Sequence, residues 1–169
     1  ANARALGIGG GDVGERVVAG ATGAGGVALG AGGLVRDSFA RSTSPTCRAV
    51  TADGTPANPG RLRNMTIIAD AGGVGVHVAG FLGGATGYFD EHADVRNSIV
   101  RGSPALQAVA AGSTASGAGT ITVGTSNIPA GGSQTSGAFA AITDVGGNQT
   151  EPALLTGMLH VIVAEGLVD

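Results

Sequence analysis

One short pattern occurs three times in the chain and limits the folds that the chain can adopt. Each copy has an aliphatic residue, then Arg, then Asn or Asp, and then a run of alternating polar and apolar residues. The copies span Val35–Ser42, Leu62–Ala69 and Val95–Gly102, so their first residues are 27 and 33 positions apart. Repeats of roughly 20 to 50 residues are typical of solenoids. The pattern therefore predicts a chain that winds in successive coils, with each copy at the same place in its coil.

The residues of each copy predict a strand, a corner and a second strand. In an extended chain the aliphatic residue and the following Arg point to opposite faces. Asp37, Asn64 and Asn97 suit the corner, because Asp and Asn tolerate left-handed backbone angles and hydrogen-bond the backbone. β-branched residues then favour a strand, as in Thr66-Ile67-Ile68. Stacked corner side chains are expected to bond one another along the axis, at about 1 kcal/mol per buried bond.

The composition favours narrow coils over a thick layered core. Gly contributes 33 of the 169 residues, without the Gly-X-Y period of collagen. Hydrophobic residues make up 43%, which excludes a wholly disordered chain, whereas aromatic residues make up only 3% and charged residues 12%. We therefore expect a single all-β domain over residues 1–169, either a mature chain or a segment of a longer one.

Charge and cysteine content limit the expected partners. The formal net charge is −3, and the nine basic residues are all Arg and do not cluster, so nucleic-acid binding is not expected. Cys47 is the single cysteine, which excludes an internal disulfide and a Cys-based metal site. We expect Cys47 to be a small buried filler. No apolar run has the length of a membrane span.

Two further features are interpreted as structural. Gly9–Gly14 fits the dinucleotide-binding fingerprint letter by letter, but that motif needs a preceding strand and a following helix. We expect glycine turns between weak strands throughout Ala1–Gly33. His77 alternates with valines in the short strand Gly75–Val78, and it is expected to point outward or to be a satisfied corner residue.

The stretch Phe81–Asp94 departs from the repeat. It contains two of the four Phe residues, the only Tyr, and the acidic residues Asp90, Glu91 and Asp94 around His92. It also lengthens the spacing between the second and third copies. We expect a bulge between two coils here, and excursions from a rigid scaffold often carry function.

The end of the chain, Pro152–Asp169, is open to two interpretations. Apolar residues lie at helical spacing from Leu154 to Ile162, whereas Gly157 and the β-branched run Val161-Ile162-Val163 favour a strand. A strand with flanking turns is favoured. The alternative is a short amphipathic helix that caps the open end of the solenoid.

Several pieces of the second half follow one another in a recognisable order: Val95–Gly102, Ile121–Val123 with Ser126-Asn127, Gly146–Pro152, Leu159–Val161 and Gly166–Asp169. Through these pieces the chain resembles the C-terminal coils of right-handed parallel β-helix repeat proteins of the pectate-lyase-like type, especially secreted actinobacterial ones. The resemblance implies a β-solenoid with three parallel sheets wound around one axis, in about six or seven coils. It also implies an extracellular or cell-surface location. It says little about activity, because this scaffold hosts many functions.

Two functions follow from this resemblance. The polysaccharide lyases and hydrolases of the family imply candidate catalytic residues in Asp90, Glu91, His92, Asp94 and Arg96, and candidate Ca²⁺ ligands in Asp90, Glu91 and Asp94. The lack of Lys and the scarcity of stacking aromatic residues weigh against a lyase cleft. The sequence therefore favours a structural or binding module, of surface, appendage or adhesin type. Its expected partners are polysaccharide or further copies that join through the open solenoid ends.

Overall fold

The computed structural model describes residues 4–70, 72–83, 87–112 and 116–149, which contain β-strands and no helix. In chain order the strands are β1 (Arg4–Ile8), β2 (Val13–Glu15), β3 (Val18–Ala21), β4 (Val27–Ala31), β5 (Leu34–Arg36), β6 (Phe39–Ser42), β7 (Arg48–Ala52), β8 (Gly60–Arg63), β9 (Thr66–Ala69), β10 (Val74–Ala79), β11 (Phe81–Leu82), β12 (Tyr88–Phe89), β13 (Glu91–Arg96), β14 (Ile99–Arg101), β15 (Leu106–Val109), β16 (Gly119–Gly124), β17 (Ser133–Ser136) and β18 (Ala141–Asp144).

All these strands except β11 and β12 form three sheets that the chain enters in turn. Sheet A has the order β1-β4-β7-β10-β15-β17, sheet B has β2-β5-β8-β13-β16-β18, and sheet C has β3-β6-β9-β14. Every paired neighbour in these sheets is parallel. Isolated parallel bridges at Asn127 and Gln149 continue sheet C. One passage through A, B and C is a coil that lies beside the previous coil, as in a β-solenoid, and the all-β prediction is confirmed.

The three sequence copies occupy the same place in successive coils. Val35 is paired in register with Leu62, and Leu62 is paired with Val95. All three side chains are fully buried, so they form one row along the inside of sheet B. Val123 pairs with Val95 and continues this row into the next coil. The predicted spacings of 27 and 33 residues are therefore the numbers of residues in these two successive coils.

The predicted corner lies between sheets B and C. Asp37, Asn64 and Asn97 have φ angles of 51°, 53° and 49°, so the left-handed corner is confirmed, and Arg16 and Thr125 adopt the same conformation. The corner side chains are exposed, however. Asn64 Nδ2 donates to Asp37 Oδ1 at 2.9 Å, but a ladder of buried amides is not formed. The predicted bond between stacked corner side chains is therefore present between Asp37 and Asn64, but it is exposed, so the stabilisation expected for a buried bond does not apply to it.

The buried polar ladder lies one residue further along. Ser38 Oγ accepts from the Val17 amide at 2.9 Å, and Ser98 Oγ accepts from the Met65 amide at 3.1 Å. Ser126 Oγ accepts in turn from the Ser98 amide at 3.2 Å. Each of these buried serines also donates to the carbonyl two residues before it. The hydroxyls thus satisfy backbone groups that the tight corner leaves without strand partners.

The corner conformation leads to a testable prediction. Asn97→Leu is expected to lower the free energy of unfolding by about 1 to 2 kcal/mol, because leucine lacks the short polar side chain that lets asparagine tolerate the left-handed conformation at φ 49°. Asn58→Leu should change it by less than about 0.5 kcal/mol, because Asn58 is exposed in the connection after β7. Urea unfolding followed by far-UV circular dichroism measures both values. Equal losses in the two variants would contradict a special role for the corner.

The glycine-rich amino-terminal region forms the first coil and the start of the second, as predicted. The segment that matches the dinucleotide fingerprint is the turn from β1 into β2. No helix follows its glycines in the described residues, so the cofactor motif is not formed. Gly33 shows why glycine is needed in such turns, because a Cβ there would lie 2.3 Å from the Asp12 carbonyl oxygen.

Cys47 is buried with 1% of its surface exposed, and its Sγ lies 2.6 Å from the Gly23 carbonyl oxygen. This confirms the prediction of a small buried filler. The segment Pro152–Asp169 lies outside the described residues, so the choice between strand and helix stays a prediction. No helix in the described parts of the chain is long and apolar enough to cross a membrane.

Candidate functional site

The connections between strands vary most at one edge of the coil. The connections from sheet B to sheet C after β2, β5, β8 and β13 have two residues each, and those from C to A after β3, β6, β9 and β14 have four or five. The connections from A to B range from two residues after β4 to eleven after β10. Variable loops on a regular scaffold are the usual place for binding. The A–B edge is therefore the candidate functional site.

The longest A–B connection, residues 80–90, carries an exposed aromatic hairpin. β11 and β12 pair antiparallel, with Phe81 opposite Phe89 and Leu82 opposite Tyr88. The Phe81 and Phe89 rings are stacked, with centroids 5.0 Å apart, and they are 48% and 43% exposed. The Tyr88 ring lies against the next coil at Gly117, where an added Cβ would come within 2.9 Å of it. The predicted bulge is thus a hairpin that presents three of the five aromatic side chains.

A groove of about 410 Å³ lies at the same edge, among the connections of the first three coils. Its walls are largely glycine backbone, because the first two coils have only short turns there. The connection after β7 supplies a carboxylate, a hydroxyl and an amide. The residues that line the groove are Gly10, Gly11, Gly32, Asp53, Gly54, Thr55 and Asn58.

An arginine from the first coil reaches one of these groove residues. The Arg4 guanidinium lies 2.6 Å from the Asp53 carboxylate, so the ion pair joins β1 to the connection after β7. The Arg4 side chain passes directly over Gly30, where a Cβ would come within 2.5 Å of it. Glycine at position 30 therefore leaves the space that this arginine needs.

The predicted acidic cluster is spread along β13 and the residue before it. Asp90 Oδ1 accepts from the Ala118 amide at 2.8 Å and so anchors the next coil. The His92 side chain lies on the outer face of sheet B, where its Nδ1 is 2.5 Å from Thr120 Oγ1. Burial lowers the His92 pKa, and the Asp94 charge opposes this effect. The described residues contain no group of three or more His, Cys, Asp or Glu that could hold a metal ion.

Asp94 lies on the outer face of sheet B between two arginines. Its carboxylate oxygens are 2.5 Å from Arg63 Nη2 and 2.8 Å from Arg96 Nε. Partial burial alone would raise the Asp94 pKa, but the hydrogen bonds and charges of Arg63 and Arg96 lower it overall. Asp94 is therefore an ionised carboxylate that already has partners, and Arg96 is one of them.

Glu91 differs from the other acidic residues because it points inward. It shares the inward side of β13 with Ala93 and Val95, and only 9% of its surface is exposed. Its Oε2 has no hydrogen-bond partner among the residues that the structure describes. Burial, together with a smaller contribution from the negative charge of the nearby Asp53, raises the Glu91 pKa to about 7. Glu91 is thus partly neutral at physiological pH, and Asp53 is a site residue that the sequence did not indicate.

His77 has an environment that the sequence did not predict. It alternates in β10 with the core residues Val76 and Val78, which puts it on the outer side of sheet A, yet only 5% of its surface is exposed. The expectation that His77 points outward is therefore confirmed, but its Nδ1 has no hydrogen-bond partner among the described residues, so the alternative of a satisfied corner residue is wrong. Burial lowers the His77 pKa to about 4, with a smaller contribution from the positive charge of Arg48.

No protein-family model, curated protein or solved structure matches the chain. The function is therefore inferred from the A–B edge itself.

Proposed function

We propose that the chain is a right-handed parallel β-helix of the pectate-lyase-like type, which serves as a structural or binding module of a secreted or cell-surface protein. The parallel strands and their order support this, because connections between parallel strands are right-handed in nearly all proteins. The concentration of long connections and exposed aromatic rings at the A–B edge supports a binding role.

The ligand that fits this edge best is a polysaccharide. The exposed faces of Phe81 and Phe89 suit the apolar faces of sugar rings. The groove beside Asp53, Thr55 and Asn58 provides partners for hydroxyl groups. A rigid solenoid with an aromatic platform and a polar groove would hold an extended glycan along its axis.

Truncation of the hairpin rings tests this proposal. Phe81→Ala and Phe89→Ala are each expected to weaken the binding of a glycan, identified first on a glycan array, by about tenfold, the effect of losing an interface aromatic. Phe39→Ala is the matched control, because Phe39 lies in β6 of sheet C, away from the A–B edge. Isothermal titration calorimetry measures each Kd. Equal Kd values for all three variants and the wild type would contradict binding at the hairpin.

Self-association through the solenoid ends is proposed as a second property of the module. Leu6, Val13 and Val18 in the first coil are 37%, 59% and 82% exposed, and their strands are edge strands. Exposed edges of this kind are templates for pairing with another chain. Electron microscopy of concentrated protein should show end-to-end particles, and single particles at every concentration would contradict this.

A polysaccharide-active enzyme, a lyase or glycoside hydrolase, is the second candidate function. The observation that favours it is Glu91, since a carboxyl with a pKa of about 7 suits a general acid near neutral pH. Because Glu91 points inward, catalysis would require the connections around it to move and admit the glycan. If the protein cleaves glycans, Glu91→Gln should abolish the new reducing or unsaturated ends. Asp90→Asn should still produce these ends, because Asp90 accepts a hydrogen bond from the Ala118 amide and an asparagine oxygen can do the same. Cleavage that survives Glu91→Gln would exclude this residue as the acid.

A further inference from the structure

The connection after β7 is joined to β13 by one backbone contact of an unusual kind. Residues 53–59, here called the edge loop, replace the two-residue connection of the preceding coil. The His92 amide donates to the Gly54 carbonyl, which makes an isolated antiparallel bridge beside a parallel sheet. Within the loop the Asn58 amide donates to the Thr55 carbonyl at 3.1 Å. These two amides report on whether the loop is closed.

A poorly solvated carboxyl lies where the edge loop meets β13. Glu91 is buried at the start of β13, next to the residue that Gly54 binds, and within the described part of the chain its Oε2 has no hydrogen-bond partner. Asp53, at the start of the edge loop, is close enough for its negative charge to disfavour a charged Glu91. Burial of an unpaired carboxylate is costly, so the closed loop accommodates the neutral form better.

The other charged groups around β13 do not compensate a charge on Glu91. Within the described residues Glu91 forms no ion pair. Arg4 reaches the edge loop, but it is ion-paired with Asp53. Of the remaining charged groups on the packed elements, Arg61 of β8 is exposed to solvent, and the following groups have other partners. Asp90 binds the Ala118 amide, His92 binds Thr120, Asp94 binds Arg63 and Arg96, and Arg48 acts on His77.

We propose that the edge loop is a proton-operated latch, closed on β13 while the Glu91 carboxyl is neutral and open when that carboxyl is ionised. Opening lets water reach the carboxylate and separates it from Asp53. Asp53, Gly54 and Thr55 also line the groove, so opening changes the groove as well. The effect on a glycan rests on the proposed function, whereas the opening itself is a property of the chain alone.

The direction of the pH dependence follows from proton linkage. The Glu91 pKa is about 7 in the closed state and returns toward its ordinary value of 4.5 when the loop opens. The closed state is therefore fully favoured below pH 4.5 and loses this advantage as the pH rises to about 7. Above that pH the balance changes little. The largest change in the opening equilibrium is roughly 300-fold.

Hydrogen exchange of single amides, measured by NMR from pH 4.5 to 8 and corrected for intrinsic rates, tests the latch. In the wild type the protection of the His92 and Asn58 amides should fall at least tenfold over this range and level off near pH 7. In Glu91→Gln, which cannot ionise there, it should stay constant. The Ile99 amide, which donates to the Met65 carbonyl in sheet C, is the reference for global unfolding and should stay more protected.

A second variant separates the two causes of the effect. Asp53→Asn removes the neighbouring charge but leaves Glu91 buried, so the protection of both reporter amides should fall less steeply than in the wild type. Protection that is independent of pH in the wild type, or that falls equally in the wild type and in Glu91→Gln, would overturn the latch. Glycan binding is not used in these measurements, so they stand whether or not the A–B edge binds sugar.

Discussion

Leu62→Ala is expected to lower the free energy of unfolding by about 3 kcal/mol. Leu62 is fully buried in the row between Val35 and Val95, so its truncation leaves a cavity between two neighbouring coils. Large-to-small substitutions of buried leucines cost about 2 to 5 kcal/mol, with the lower values at sites that can collapse. The Ser-anchored corners beside this row restrict such a collapse, which favours a value well above the minimum.

The hairpin offers the same substitution at an exposed site. Leu82 in β11 is 57% exposed, so Leu82→Ala should change the free energy of unfolding by less than about 1 kcal/mol. Chemical unfolding of both variants, analysed with a common two-state treatment, provides the comparison. Similar losses at positions 62 and 82 would mean that the row of stacked aliphatic side chains does not carry the stability of the solenoid.

The coil-to-coil register could be predicted wherever the corner residues repeat. Val35, Leu62 and Val95 are each followed by Arg and then Asp or Asn, and they are paired in the structure. Val123 occupies the same row, but Gly124 and Thr125 follow it, so the sequence pattern does not reveal this copy. Thr125 still adopts the left-handed corner at φ 49°. The backbone requirement is therefore retained where the sequence signal for it is lost.

The candidate site was less predictable because its residues meet only through the winding of the chain. The long connection at Phe81 was visible as a break in the repeat, but a hairpin with two residues per strand is too short to give a period. Asp53 follows β7 and Glu91 begins β13 in the next coil, so their proximity is not recorded in any local pattern. Burial separates Glu91 from Asp90 and Asp94, whereas in the sequence these carboxyls look alike.

His77→Leu should leave the protein within about 1 kcal/mol of the wild type at pH 7 and make it about 3 kcal/mol more stable than the wild type at pH 4. The His77 pKa is about 4 in the folded state and 6.5 when the ring is exposed by unfolding. Between pH 6.5 and about 4 the His77 ring is therefore protonated in the unfolded chain but neutral in the folded chain. Stability from His77 is thus present above pH 6.5 and is lost as the pH falls through about 4. Leucine does not bind a proton, so the His77→Leu variant does not undergo this loss of stability at low pH.

Urea titrations of wild type and His77→Leu between pH 4 and pH 7 measure this difference directly, because the titration of every other group largely cancels between the two proteins. His92→Leu is the informative control. The His92 ring is 2.5 Å from Thr120 Oγ1, so its removal should already cost stability at pH 7. In the described ranges His77 Nδ1 has no such bond, so the His77→Leu substitution removes no hydrogen bond at that atom. Parallel stability curves for the wild type and His77→Leu would show that the buried imidazole takes up its proton in the folded state after all.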